Sequence, residues 1–399
     1  MRILICAQQA PLLPTNGFRL QVAALLGELR REHEVQVVAF RFPDQDIGGV
    51  EVDGMRLVPL GRMTHARRAG RSLRTATRGH PFSLRELGVR LSGAVSYELE
   101  RFRPDVVHVA GTYIATLGRE LGHRATLLAP NDAAHLNADA RVLCAAGIRR
   151  GLLRHEAMRI RRFEAAEYGR FRRVVVVSRE DAAALTALNP SLRPVVIANG
   201  VDPVAFAPDA GTASHRGRVI FAGVMDAAPN VSAAEFLARA VMPLVRAQIP
   251  AAHLVIVGRR PGTAVRRLSR LPGVEVVGEV TDMRPWLTTS QVCACPMVSG
   301  TGIKNKLLEG MASGVPCVVT PHALRGVPAI SGRDLLVGED AEQVAAHVTF
   351  LLRDRRAARA IGAAGCAYVL SKHTWRGVAE AYVRLYQSLL AEPGNGRKR

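Results

Sequence analysis

Residues 300–310 read GTGIKNKLLEG and set two lysines and a glutamate beside a glycine-rich turn. The chain holds four lysines among its 54 basic residues, and two of them, Lys304 and Lys306, stand here. A predicted strand, 291–295, runs into this turn, and a predicted helix follows it and closes at Gly314, just ahead of Pro316. Strand, glycine turn and helix suit phosphate oxygens. Gly300 and Gly302, with Thr301 and Ile303 between and after them, let the backbone come close to a ligand, and the first helical N–H groups have no internal partners. Cations in the first turn of a helix oppose its dipole unless something negative binds there. Positions 304 and 306 are about 200° apart around a helix, so both cannot face one phosphate if the helix starts by 304. Lys304 is the first expectation for the phosphate contact and Lys306 the second. Glu309, deeper in the helix, is a carboxylate suited to the paired hydroxyls of a ribose. The alternative is plainer: both lysines are solvated and Glu309 pairs with one of them.

The elements that would position such a turn are legible as an alternation of short β-branched runs with longer helical stretches, the pattern of parallel sheets covered by helices. Strands are expected at 2–7, 34–40, 105–110, 125–129, 173–178 and 195–198, then at 218–223, 253–257, 274–277, 291–295 and 315–319. Ser178 is placed to cap a helix starting at Arg179. Residues 201–217 contain two prolines and two glycines with little periodicity and read as a linker. The expected domains are 1–205 and 214–375, with a final helix over 376–391. Two doubly wound domains imply a cleft, since ligands in such sheets sit at the carboxyl ends of the strands.

Composition narrows the function classes. A chain of 399 residues, 48% hydrophobic and 22% charged, exceeds one ordinary core. The start, MRILICAQQA, reads as a buried strand with no leader, and no apolar run is long enough to span a membrane, so a cytoplasmic protein is expected. Cys6, Cys144, Cys293, Cys295, Cys317 and Cys366 show no metal spacing and are expected as buried, reduced thiols. The net charge of +20 invites polyanions, but a chain rich in Ala, Gly, Val and Arg also reflects a GC-rich coding bias. Two stretches are locally dense: 141–173 has ten arginines against three glutamates, and 67–90 has seven against one. Without a recognition motif or sustained aromatic interleaving they do not indicate nucleic acid.

With its neighbours, GTGIKNKLLEGMASGVPCVV resembles the donor motif of the retaining glycosyltransferases of family 4, which have the two-domain GT-B fold. Similar segments run through the chain, among them NGFRLQVAALLGELRREHEVQVV, VVVVSRED, VIANGVDPVAF, HLVIVG and the closing HTWRGVAEAYVRLY. FAGVMDAAPNVSAAEFL and GEVTDMRPWL look closest to the exopolysaccharide-associated branch. The resemblance implies two Rossmann-like domains facing across a cleft, with a C-terminal helix crossing back to the first. It implies transfer of a sugar from a nucleotide diphosphate sugar, UDP being the commonest carrier, to an acceptor hydroxyl with retention and no metal. In that scheme the leaving phosphate takes the acceptor proton. Residues 300–304 and Lys304 would hold the diphosphate and sugar, Glu309 the ribose, and Gly278 and Val280 the base through their backbone, while Gly17 would let a first-domain loop approach the donor.

Departures from the family pattern are informative. Thr301 stands where the family often has a first glutamate, and Val224 and Pro229 stand near the positions of two family cations. Lys304 and Lys306 are therefore candidates to supply the missing positive charge. In LLAPNDAAHLN, where many relatives carry His then Asp, Asn131 and Asp132 are the residues present. Asp132 is a candidate for donor sugar or acceptor hydroxyl, or else a turn and N-cap aspartate. His108, at the end of a predicted strand, is a candidate acceptor contact or a satisfied strand-end histidine, and His135 is a weaker candidate of the same kind. Leu152, Leu153, Met158, Ile160 and Phe163 interleave with arginines, giving a helix that would meet an anionic membrane, frame an acidic acceptor or simply pack on its own domain. Two other classes compete: a GT-B epimerase or hydrolase, which calls for a dedicated acid and base, and a non-catalytic binder of nucleotide sugar or nucleic acid.

Overall fold

The alternation resolves into two parallel sheets, each flanked by helices. The computed structural model describes residues 1–12, 16–42, 45, 52–60, 80–81, 87–122, 124–143, 145–208 and 215–392. Cys144, most of the arginine-rich stretch 67–90 and part of the expected linker lie outside them.

The chain divides into a unit of Met1–Ala198 with Val378–Arg399 and a unit of Asn199–Gly377. The first division falls ahead of the expected position 205 because the segment after Ala198 is tied into the second unit. Asn199 Nδ2 donates to Asn305 Oδ1 at 2.9 Å, and Val201 bridges Thr374.

In the first unit, strands β1 (Arg2–Ala7), β2 (Glu34–Arg41), β3 (Met55–Pro59), β4 (Val106–Ala110), β5 (Ala125–Asn131), β6 (Arg173–Val176) and β7 (Pro194–Val196) form one sheet in the order β3-β2-β1-β4-β5-β6-β7. All its pairings are parallel. β1, β4 and β5 are near-continuous apolar runs, buried on both faces as parallel central strands must be. β3 was not anticipated. It is a half-buried edge strand whose five residues show no alternation.

The second unit has β8 (Arg218–Ala222), β9 (His253–Val257), β10 (Val274–Gly278), β11 (Val292–Cys295), β12 (Cys317–Val319) and the short β13 (Leu336–Val337), ordered β10-β9-β8-β11-β12-β13 and again parallel where paired. In each sheet the strand order reverses once, between β1 and β4 and between β8 and β11. Such a reversal opens a crevice at the carboxyl ends of the two strands.

The helix Trp375–Ala391 begins in the second unit and from Val378 onward belongs to the first, where Tyr382, Tyr386 and Leu389 are buried.

Candidate functional site

At the β8/β11 reversal the two strand-to-helix turns meet. β8 ends at Ala222, and Gly223 leads through Val224–Ala227 into the helix Ala228–Phe236, which carries Asn230. β11 ends at Cys295 and leads through the glycine turn into the helix Asn305–Ala312. Gly300 and Gly302 have φ of +95° and +67°, a region that glycine occupies without strain. A Cβ on Gly300 would lie 3.5 Å from the Pro229 ring, so the two turns are packed together.

The helix starts at Asn305, so Lys304 is its N-cap in extended conformation and Lys306 its second residue. This separates the two lysines. Lys304 is 7% exposed, and its Nζ donates to the carbonyls of Gly300, Thr301 and Gly302 at 3.0, 3.0 and 2.9 Å. Its ammonium clasps the turn from within. Lys306 reaches the other turn: its Nζ donates to Asn230 Oδ1, lies 3.9 Å from Met297 Sδ and sits 4.7 Å from the centroid of the Phe221 ring. A Cβ on Gly223 would stand 2.8 Å from that nitrogen, which is why glycine suits the end of β8. No carboxylate among the described residues comes within 4 Å of Lys306, and burial lowers its pKa. The two lysines thus face different partners, Lys304 its own loop and Lys306 the neighbouring turn.

Glu309 sits one turn further along the same helix. Burial raises its pKa to about 7, with Lys306 pulling the other way, and its carboxylate makes no hydrogen bond or ion pair among the described residues. It makes no ion pair with either lysine within 4 Å, although the Lys306 charge is felt. Gly278 has φ +90° at the end of β10, where the register against β9 shifts, and its carbonyl accepts from Gly258 N at 2.7 Å. Val280 follows, half-buried. Gly258 is sterically required: with φ +147°, a Cβ there would fall 1.7 Å from the Gly223 carbonyl oxygen. The carboxyl ends of β8, β9, β10 and β11 therefore share one glycine-lined rim with Lys306, and Glu309 lies one helical turn beyond that lysine.

Two residues of this rim escaped the sequence reading. Asn230 gave no signal because its role depends on a lysine 76 positions away. His322, in the turn after β12, donates from Nε2 to the Gly300 carbonyl at 2.6 Å and braces the glycine turn.

In the first unit, Asn131 ends β5 with φ +80°, a left-handed conformation that asparagine tolerates better than most residues. Asp132 Oδ2 accepts from Asn137 Nδ2 at 2.9 Å. The following backbone is held by two buried carboxylates. Asp181, itself bonded to the Ser178 cap, accepts from Ala133 N at 3.0 Å, and Glu164 accepts from Ala134 N at 2.7 Å and His135 N at 3.2 Å. Burial raises the Asp181 pKa from its ordinary value. His135 is spent on Glu164, its Nδ1 lying 2.6 Å from Oε2, so it is a structural partner. Gly17, exposed, is the first residue of the helix Gly17–Leu29, which Asn16 caps by accepting from Arg19 N at 2.9 Å.

His108 corrects its expectation. It is 2% exposed, hydrogen-bonded through Nδ1 to Tyr386 Oη at 2.8 Å and stacked 5.1 Å from the Tyr382 ring. Burial drops its pKa to about 3. Its side chain anchors the C-terminal helix and leaves the acceptor-side set. Among the described residues no three His, Cys, Asp or Glu side chains converge as metal ligands, and no helix is long and apolar enough to cross a membrane.

Two family models match in succession: residues 15–204 match Glycosyltransferase Family 4, and residues 216–354 match Glycosyl transferases group 1. The chain belongs to this glycosyltransferase family. Its fold is GT-B. Over nearly its full length it superposes on a sucrose-phosphate synthase from Thermosynechococcus elongatus, with TM-score 0.75 at 18% identity and coverage of 98% of this chain and 100% of that one. It is similarly like the Anabaena protein Alr3699/HepE solved with UDP and glucose, with TM-score 0.66, 12% identity and coverage of 97% and 100%. A trehalose 6-phosphate synthase from Burkholderia multivorans gives TM-score 0.65 at 13% identity, covering 98% and 99%. No curated protein matches the sequence.

Proposed function

We propose that this glycosyltransferase moves a sugar from a nucleotide diphosphate sugar, with uridine as the carrier base, to an acceptor hydroxyl with retention at the anomeric carbon. One observation carries the reading: among the described residues the Lys306 ammonium at the β8/β11 reversal has no carboxylate within 4 Å, beside a glycine turn and a helix start, while the half-buried Glu309 carboxyl makes no hydrogen bond or ion pair.

An anionic diphosphate complements the first feature and a ribose diol the second. Lys306 and the N–H groups at the start of the Asn305–Ala312 helix would meet the diphosphate, where negative charge grows as the sugar–phosphate bond breaks. Lys304 keeps the turn in shape, and Glu309 accepts from the ribose hydroxyls. Gly278 and Val280 lie along the base. The departing phosphate takes the acceptor proton, and the positive charge of the scheme comes from Lys306 and the backbone, so no metal is called for. Asn131 and Asp132 at the end of β5 are the acceptor-side residues. A cavity of about 90 Å³ in the same unit, lined by Thr112, Tyr113, Arg141, Glu156 and Phe163 among others, offers one mixed apolar and charged contact for the acceptor. Solved neighbours described as sucrose-phosphate and trehalose 6-phosphate synthases, and one holding UDP and glucose, support the choice of donor class. The acceptor is a polysaccharide intermediate, a lipid carrier or a small natural product.

The test is to incubate the full chain with a panel of nucleotide sugars, with and without candidate acceptors. Acceptor-dependent release of nucleoside diphosphate, with the anomeric configuration of the product conserved by NMR, is expected. Isomerisation of the donor without acceptor, or nucleic-acid binding with no donor affinity, would overturn the proposal.

A further inference from the structure

The helices Ala134–Leu143 and Gly147–Glu167 pack as a hairpin whose tip projects into solvent. Residues 146–152 are all exposed. Leu143, Ile148 and Leu152 are 77%, 87% and 68% exposed, three large aliphatic side chains within ten positions. From 140 to 155 the chain carries Arg141, Arg149, Arg150 and Arg154 and no Asp or Glu. Arg149, Arg150 and Arg154 make no hydrogen bond or ion pair among the described residues. The carboxylates of the longer helix are placed elsewhere: Glu164 and Glu167 are buried in the unit, and Glu156 turns to the cavity beside Thr112. Among the described residues the tip is therefore apolar and cationic at once, with Ile148, Leu152, Arg149, Arg150 and Arg154 exposed and no ion pair to those arginines.

We infer that this hairpin tip docks on the surface of an anionic phospholipid bilayer, its arginines against the headgroups and Leu143, Ile148 and Leu152 in the acyl boundary. Exposed aliphatics interleaved with arginine are what an interfacial segment requires, since neither hydrophobic burial nor headgroup attraction alone holds a protein firmly. Each arginine near such a surface tightens binding roughly fivefold, and each aliphatic side chain withdrawn from water roughly tenfold. The inference is independent of the donor site, which lies in the other unit.

The experiment is co-sedimentation of the full chain with vesicles of phosphatidylcholine alone and of phosphatidylcholine mixed with phosphatidylglycerol. Binding to the mixed vesicles is expected, weakened by added salt because the charges are exposed. Arg149→Ala with Arg150→Ala should weaken it roughly 25-fold, and Ile148→Ser with Leu152→Ser more strongly. These positions are exposed, so thermal unfolding and UDP-sugar affinity should stay as in the parent chain. Absence of vesicle binding, equal binding to both vesicle types, unchanged binding of the Ile148/Leu152 variant, or retention of duplex DNA in place of vesicles would each overturn the inference. A loss of UDP-sugar affinity in the parent chain would instead count against the donor assignment and leave the vesicle result standing.

Discussion

Glu309 offers the sharpest test of the donor site, because its protonation and its proposed ligand are linked. Its carboxyl is raised from 4.5 to about 7 by burial. A carboxylate accepting two hydroxyl hydrogen bonds is stabilised in the ionised form, so donor binding draws out the proton. At about pH 6 only roughly one tenth of the free protein has Glu309 ionised, and at about pH 8 roughly nine tenths, so affinity should rise about tenfold between them. UDP-glucose is the suitable probe, since both of its phosphates stay ionised across that range. Calorimetry in buffers of different ionisation enthalpy should also report a proton released on binding near neutral pH. Glu309→Gln should flatten the pH profile and weaken binding at about pH 8. The sign for stability is opposite. A carboxyl with a raised native pKa favours the folded state fully below 4.5 and loses that contribution as pH rises through about 7, a loss of about 3 kcal/mol for this shift. Glu309→Gln should therefore raise the thermal midpoint at about pH 8 by several degrees. A variant that keeps the tenfold pH dependence, or a parent chain with none, would refute the assignment.

Other consequences are equally checkable. Lys306→Met should weaken UDP-sugar binding by roughly 10- to 100-fold with little loss of stability, whereas Lys304→Met, which removes three carbonyl contacts, should lower the thermal midpoint as well as affinity. Calorimetry and thermal unfolding on the same preparations separate the two. Gly258→Ala should leave little folded protein, because the new Cβ would meet the Gly223 carbonyl, while Gly27→Ala, in a helix with no atom within 4 Å of the added carbon, should stabilise by about 0.5–1 kcal/mol in urea unfolding. His108, held neutral with a pKa of about 3 against an ordinary 6.5, contributes stability that is present above 6.5 and lost as pH falls toward 3. About 2 kcal/mol should be gone by about pH 5, and His108→Gln should remove that acid sensitivity in a plot of thermal midpoint against pH.

All eleven expected strands exist, because a strand buried on both faces must be written as a continuous apolar run, and RILICA, VVHVA and HLVIV are such runs. The strands that were missed, Met55–Pro59 and Leu336–Val337, lie at sheet edges, where half-burial leaves no such imprint. At the site, the glycine turn and Glu309 could be read locally, since turn chemistry and helix starts depend on adjacent residues. The direction of each lysine could not. Lys304 turns back on its own loop and Lys306 reaches Asn230 because the helix begins at Asn305, and one residue of helix boundary lies below the resolution of pattern reading. His108 misled for a related reason: a histidine inside an apolar strand looks like a strand-end polar group until the tyrosines that cover it are known, and those stand 274 and 278 positions later.

That separation has a consequence for biosynthesis. The sheet containing His108 is complete by Val196, yet the tyrosines that cover it, in the C-terminal helix, are made only after the whole second unit. The second unit, Asn199–Gly377, is one continuous segment and can close on its own contacts while the first still shows a bare patch around β4. Assembly of this chain is therefore not N-terminal first throughout. The first unit starts before the second and is completed after it, and a truncation that removes Tyr382 and Tyr386 would expose the middle of its sheet rather than merely shorten a tail.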